Sequence, residues 1–350
     1  MTFLCASIRN LLIVLAFALP VTAVQSVSAS PENPSSVPWI WPLPPEQPRV
    51  QHITTVITPQ DLGIKKGFFA RLWEFIAGAD SADRILVPHG VVSDGEGKVY
   101  IADWGGGMVH YFNFEKKKYS NFYKTQLGTL SSPIGIALDG EGLVYVSDSA
   151  LRRVFVFKDS FTGIKNSRVI GDDSLVRPSG IAINKKDKIL YVVDTGGHRV
   201  DLFDLEGKKL SSFGANGPGE GEFNFPTHIA LDKAGDVYVL DALNFRVQIF
   251  DKNGKFLSQF GGNGTSISDF MKPKGIAVDS EGHIWVSDSL RNSIQVFDRQ
   301  GRLLLIFGRL GIEPGQFNLP AGLFIDKRDR LVVADSYNYR IQLFQYLKQQ

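Results

Sequence analysis

Cysteine is almost missing from this sequence of 350 residues: the one example is Cys5. Beyond the first few residues there are therefore no disulfides, no thiol chemistry, no covalent haem and no cysteine-ligated metal. Charge of one sign is missing too. Lys and Arg number 38 and Asp and Glu 36, for a net charge of +2. A nucleic-acid binder needs a basic excess or a basic face, and only local clusters such as Lys116–Lys118 occur. Long apolar runs are confined to Leu11–Val24, which is 14 residues. As a helix that run reaches roughly 21 Å, short of a hydrocarbon core of ~30 Å.

The run follows Arg9 and precedes small residues, the pattern of a secretory signal peptide over residues 1–29. Cleavage after Ala29 is preferred to cleavage after Ala23, and an uncleaved anchor is the alternative. Cys5 lies before the run, where it cannot serve as a lipoprotein cysteine. The expected location is the periplasm or the exterior, with no integral membrane domain once the signal is removed. Residues 30–48 carry seven prolines, a density that favours a semi-rigid polyproline II linker. Trp39 and Trp41 within it either contact a partner or fold back on the domain.

What the chain has in quantity is glycine, 35 residues, and a repeat. Segments beginning at Pro88, Pro133, Pro178, Pro226, Pro273 and Pro320 align, at spacings of 45, 45, 48, 47 and 47 residues. Each opens on Pro-x-x and closes on an aspartate: Asp103, Asp148, Asp194, Asp241, Asp288 and Asp335. The complete copies also contain four short apolar runs separated by turn residues, which predicts a four-stranded antiparallel sheet. One such sheet cannot bury both faces, and radial stacking does. The expected fold is all-β, a six-bladed β-propeller over residues 85–350. The third copy has one extra residue before Asp194, expected as a bulge.

The stretch "DSEGH", 279–283, has carboxylates and an imidazole at alternate positions, as a metal site would. The other copies replace His283 by Lys98, Leu143, Lys188, Asp236 and Arg330, so only the turn chemistry recurs. The sixth copy lacks a fourth strand, which must come from residues 49–84. The β-branched segment 51–58 is the expected closing strand, and 67–77, with a helical apolar period, a short helix.

The copies from Pro226 and Pro273, with "PTHIALDKAGDVYVLDALNFRVQIFDKNGKFLSQFG" and "PKGIAVDSEGHIWVSDSLRNSIQVFDRQGRLLLIFG", resemble NHL repeats. That resemblance implies an NHL-type propeller, a fold that serves widely as an interaction platform. Some NHL-like propellers are amidating lyases whose zinc sits on histidines from three repeated Pro-His-x loops. Here only Pro88-His89-Gly90 has that form, and His228 lies one residue out of phase.

Antiparallel connectivity puts the Pro loops and the loops after each aspartate on one face. The candidate binding residues there are Trp104, His198, Asn244, Phe245, Arg291, Asn292, Tyr337 and Tyr339, with His89, His228 and Lys274 from the Pro loops. Aromatic and arginine anchors suit a protein or peptide partner. The six aspartates are expected to be structural. Four of them pair with Arg153, Arg199, Arg246 and Arg340, five residues on, while Met108 and Ser293 leave two turns to be braced otherwise. The functional expectation is an exported, non-catalytic scaffold needing no cofactor and no metal. The alternative is a metal-dependent lyase or hydrolase with its site at the central channel.

Overall fold

The Pro-x-Gly openings and the alternating apolar runs set the strand boundaries. The computed structural model describes residues 38–64, 83–158, 165–171 and 174–348. Blade 1 comprises Pro88–Ser93, Lys98–Asp103, Met108–Asn113 and Lys118–Phe122. Blade 2 comprises Pro133–Leu138, Leu143–Asp148, Arg153–Lys158 and Lys165–Ile170. Blade 3 comprises Pro178–Asn184, Ile189–Asp194, Arg199–Asp204 and Lys209–Phe213. Blade 4 is built from Pro226–Leu231, Val237–Asp241, Arg246–Phe250 and Phe256–Gly261. Blade 5 is built from Pro273–Val278, Ile284–Asp288, Ser293–Phe297 and Leu303–Phe307. In each, the strands pair antiparallel in chain order. The fold is a six-bladed all-β propeller, as the repeat implied.

Each opening proline sits opposite its closing aspartate, and the register shifts immediately afterwards. Proline is tolerated there because it is the first residue of its strand and next to a bulge. The extra residue of blade 3 is absorbed differently from the expectation. Asn184 pairs with Ile189 across the turn, and Ile189–Asp194 then pairs without a break to Arg199–Asp204. A turn takes an added residue more cheaply than a ladder with partners on both sides. The "DSEGH" segment is a turn: Asp279 accepts from the backbone N–H of Glu281 and His283, both at 2.9 Å.

The six innermost strands stand side by side and close into a ring around a tunnel of about 180 Å³. The core lies between neighbouring blades rather than within any one. Tyr238, Leu240 and Ile249 of blade 4, for example, pack against Ile276, Ile284 and Phe297 of blade 5.

Blade 6 has Pro320–Ile325, Arg330–Asp335 and Arg340–Tyr346 from the end of the chain. Its fourth strand is Val50–Val56, antiparallel to Arg340–Tyr346, and Ile40–Trp41 adds a fifth. Val50 and Val56 are fully buried, and the Trp41 ring lies 5.5 Å from Phe307 and 5.9 Å from Phe344. Trp41 thus folds back on the domain, while Trp39 is 47% exposed. The expected signal peptide over 1–29 and helix over 67–77 lie outside the described residues. Among the described residues no helix is long and apolar enough to cross a membrane.

Candidate binding face and tunnel mouth

Every blade closes its second strand on a fully buried aspartate. Its main partners are backbone N–H groups of the loop arriving from the previous blade. Asp103 accepts from Leu86 and Val87 at 2.7 and 2.8 Å, Asp148 from Ser131 at 2.7 Å, and Asp194 from Arg177 at 2.7 Å. Asp241, Asp288 and Asp335 take the N–H of Asn224, Met271 and Asn318 at 2.7, 2.6 and 2.7 Å. Each carboxylate therefore joins two loops on one face.

The arginines add to this. Arg199, Arg246 and Arg340 lie 3.0, 2.8 and 2.6 Å from Asp194, Asp241 and Asp335. Arg246 and Arg340 also donate to carbonyls of the arriving loop, Pro218 and Gly219 in one case, Ile312 and Gln316 in the other. Arg153 donates to the Leu151 carbonyl. In blade 1 the brace is His110, 3.0 Å from Asp103 and fully buried. In blade 5 it is Arg291, 4.0 Å from Asp288. Sequence reasoning missed a second supporting position, seven residues after the aspartate. His110, Asp201, Gln248 and Gln342 occupy it, and the last two donate to Asp241 and Asp335 at 3.3 and 3.0 Å.

The candidate binding residues divide into two groups. Several have their polar atoms engaged within the propeller. Asn244 donates to Asp241 and to the Gly217 carbonyl, and Arg291 to the Ser266 carbonyl. His198 meets the backbone of Phe223 and Phe225, and Asn292 accepts from Leu319, tying each loop to the next blade. Trp104, Tyr337 and Tyr339 instead stand out from the face, 50%, 52% and 43% exposed, and Phe245 is half-buried.

Position four after the aspartate has left-handed backbone in all six blades. Gly107 fills it in blade 1, and Arg152, His198, Phe245, Asn292 and Tyr339 elsewhere, at φ of 53–58°. Side chains rarely adopt that region, and holding one there costs about 1–2 kcal/mol. Large side chains are kept where glycine would be easier.

Exposed large apolar residues are unevenly distributed. Leu86, Trp104, Val176, Leu243, Ile267, Met271, Leu290, Leu310, Ile312, Tyr337 and Tyr339 all lie in loops on this face. Among the described residues, the opposite face contributes Leu43, in the segment joining Trp41 to Val50, and its turns between strands of the blades are rich in Asp, Glu, Lys and Arg. His89, half-buried Lys274 and buried His228 sit closer to the axis, on the Pro-x-Gly segments that ring the tunnel mouth.

The model of the NHL repeat matches residues 223–250, 270–297 and 317–344. Each match spans the start of the arriving loop's last aromatic through the third strand of blade 4, 5 or 6. The chain carries NHL repeats. The Drosophila melanogaster protein named Protein brain tumor is 33% identical to this propeller over 67 residues. That match spans 19% of this chain and 6% of the fly protein.

Among solved structures, virginiamycin B lyase from Staphylococcus aureus superposes with a TM-score of 0.56 at 16% identity, covering 77% of this chain and 98% of that one. An auxiliary nutrient binding protein from Bacteroides thetaiotaomicron gives 0.58 at 15%, covering 75% and 69%. A chain of a nidogen–laminin complex gives 0.53 at 19%, covering 64% and 81%. At these identities the likeness shows the propeller fold alone.

Proposed function

We propose that this NHL propeller is an exported, non-catalytic scaffold that holds a protein partner on the face built from the Pro loops and post-aspartate loops. One observation carries the reading: the exposed apolar and aromatic side chains gather on that face, whereas the opposite turns are charged. Concentrated exposed apolar surface on a rigid frame marks an interaction site. The left-handed corners support it, because Phe245 and Tyr339 occupy positions where glycine would relieve strain. Export is supported by the signal-like segment at residues 1–29. Solved propellers of this fold include a binding protein and a member of a protein complex, in agreement with the reading. The lyase likeness carries architecture, and chemistry belongs to sites rather than folds.

The test begins with tagged protein and a native envelope fraction. A captured partner is then purified and titrated against wild type and against a variant carrying Trp104→Ala, Phe245→Gly, Tyr337→Ala and Tyr339→Gly. Loss of two or more aromatic anchors should weaken binding by at least roughly a hundredfold. The two proteins must unfold at the same temperature. Equal affinity for wild type and variant would rule out this face.

A further inference from the structure

The six inner strands come together at the tunnel mouth through their Pro-x-Gly segments, and the glycine there is a packing requirement. A Cβ on Gly90, Gly135, Gly180, Gly275 or Gly322 would lie 2.2–2.6 Å from the backbone of the next blade. Blade 4 alone departs from the pattern and places His228 in the glycine slot. A local rule kept five times and broken once points to function or strain.

The surroundings favour function. His228 is 8% exposed and lines the tunnel, and its Nδ1 has no hydrogen-bond partner. Neither has Oγ1 of the adjacent Thr227, nor Nδ1 of His89, on the inner strand of blade 1 across the ring. Buried polar atoms are normally paired, so three orphans around one opening mark a candidate polar site. Lys274 stands at the corresponding position of blade 5, and no carboxylate pairs with it among the described residues. The charges that act on it are those of Lys272 and Arg177, both cationic. Burial, with Lys274 and His228 nearby, holds His89 near 3, and burial holds His228 near 4. Both rings are uncharged at neutral pH, so each offers a neutral N–H and Lys274 supplies the fixed charge.

Behind this polar rim the tunnel wall is mainly apolar, with Ser93 and Lys185 toward its opposite end. Val91, Ile136, Ile181, Ile229, Ile276 and Leu323 contribute one side chain from each blade. Its volume of about 180 Å³ exceeds the ~150 Å³ at which an engineered apolar cavity takes up benzene. We propose that the tunnel mouth binds a small organic carboxylate. The carboxylate accepts from Lys274, His228, His89 and Thr227, and a benzene-sized or short aliphatic body enters the tunnel. A divalent cation would meet the Lys274 charge and only two imidazoles. A phosphate would leave the apolar tunnel unfilled.

This site is separate from the aromatic face, so either proposal stands without the other. Isothermal titration calorimetry on the full chain tests it, using benzoate and hexanoate as probes and benzyl alcohol, phosphate and Zn²⁺ as comparisons. Benzoate or hexanoate should bind saturably, at one equivalent per chain, and the alcohol and phosphate should not. Lys274→Met should weaken binding by about tenfold to a hundredfold, as should His228→Gly. The second variant restores the residue that the other blades carry, so it tests the site even if Lys274→Met fails to fold. Absence of saturable binding by both acids would overturn the proposal. So would undiminished binding in both variants, or a stoichiometric Zn²⁺ complex lost in His228→Gly and indifferent to benzoate.

Discussion

Replacing Asp335 by asparagine keeps the shape of the side chain and removes its charge, which isolates what the closing aspartate does. Asp335 is fully buried and accepts from Asn318 N–H at 2.7 Å, Asn338 Nδ2 at 2.9 Å, Arg340 Nε at 2.6 Å and Gln342 Nε2 at 3.0 Å. An amide has one acceptor oxygen. Its NH₂ group would face donors, three of which converge on Oδ2. Arg340, itself buried, would keep its carbonyl partners and lose its anion. Breaking a buried ion pair from one side costs about 3–5 kcal/mol. Unfolding entropy of about 2.1 cal/mol/K per residue over roughly 300 residues converts that into a fall of about 5–8 °C in Tm.

Asp288 is the internal control. Its arginine lies 4.0 Å away, and its closer partners are the backbone N–H groups of Met271, Lys272 and Arg291. An asparagine oxygen satisfies part of that set, so Asp288→Asn should cost about 1–2 kcal/mol. Thermal and urea unfolding followed by circular dichroism measure both, and Arg340→Met added to Asp335→Asn should recover part of the loss. Equal losses at the two sites, or less than about 1 kcal/mol at Asp335, would refute the reasoning.

The hydrogen bond that Asp279 accepts from His283 Nδ1 at 3.0 Å raises the His283 pKa above its ordinary 6.5 against the opposing effect of burial. The folded state thus favours the protonated ring. Its contribution is complete below about pH 6.5 and is lost as pH rises through the folded value. His283→Gln should accordingly cost more stability at about pH 6 than at about pH 8 in urea titrations, and a pH-independent cost would contradict this. Gly322→Ala would bring a Cβ to 2.2 Å from the His89 carbonyl and should destabilise by about 3 kcal/mol or abolish folding. Gly262→Ala, with open space around it, should leave the unfolding midpoint unchanged. Removing residues 1–56 strips the partner strand from Arg340–Tyr346 and uncovers Phe307 and Phe344. Val50 and Val56 alone contribute about 1.5–3 kcal/mol each, so the truncated protein should melt well below wild type or aggregate. An unchanged transition by scanning calorimetry would show that the ring closes without that strand.

The blades were legible because their markers answer backbone demands that every copy shares. A proline can only open the inner strand, and an aspartate can only end the second, so the same letters return. The closing strand was legible for a related reason: a β-branched run suited to a sheet stood upstream of a sheet that lacked one. The position seven residues after the aspartate was legible only in part. Gln248, Gln295 and Gln342 recur there in the last three copies, whereas His110, Phe155 and Asp201 replace the glutamine in the first three, and its role is visible only once the carboxylate is buried beside it.

The candidate binding face was half legible. Trp104, Tyr337 and Tyr339 read as surface and are surface, but Asn244, Asn292 and His198 read the same way and turn inward to neighbouring loops. Nothing along the chain distinguishes an asparagine facing solvent from one that bonds the backbone of a loop between blades, as Asn244 does to the Gly217 carbonyl and Asn292 to the Leu319 N–H. The meaning of His228 was hidden for the same reason. Its departure from glycine is plain in the sequence, but the neighbouring backbone that makes glycine necessary arrives from about 46 residues away.

Sharing the sixth sheet between Val50–Val56 and Arg340–Tyr346 imposes an order on how the molecule comes into being. The strand that completes the ring, Val50–Val56, leaves the ribosome before the first blade, and its partner, Arg340–Tyr346, leaves after the fifth. Between those two events the growing chain is an open arc with two bare edges. At typical elongation rates of about 5–20 residues per second, that interval lasts on the order of tens of seconds. Chaperone binding during this window should therefore concentrate on the first and last blades, and stalled chains ending before Arg340 should be the species most prone to stick to one another through their edges.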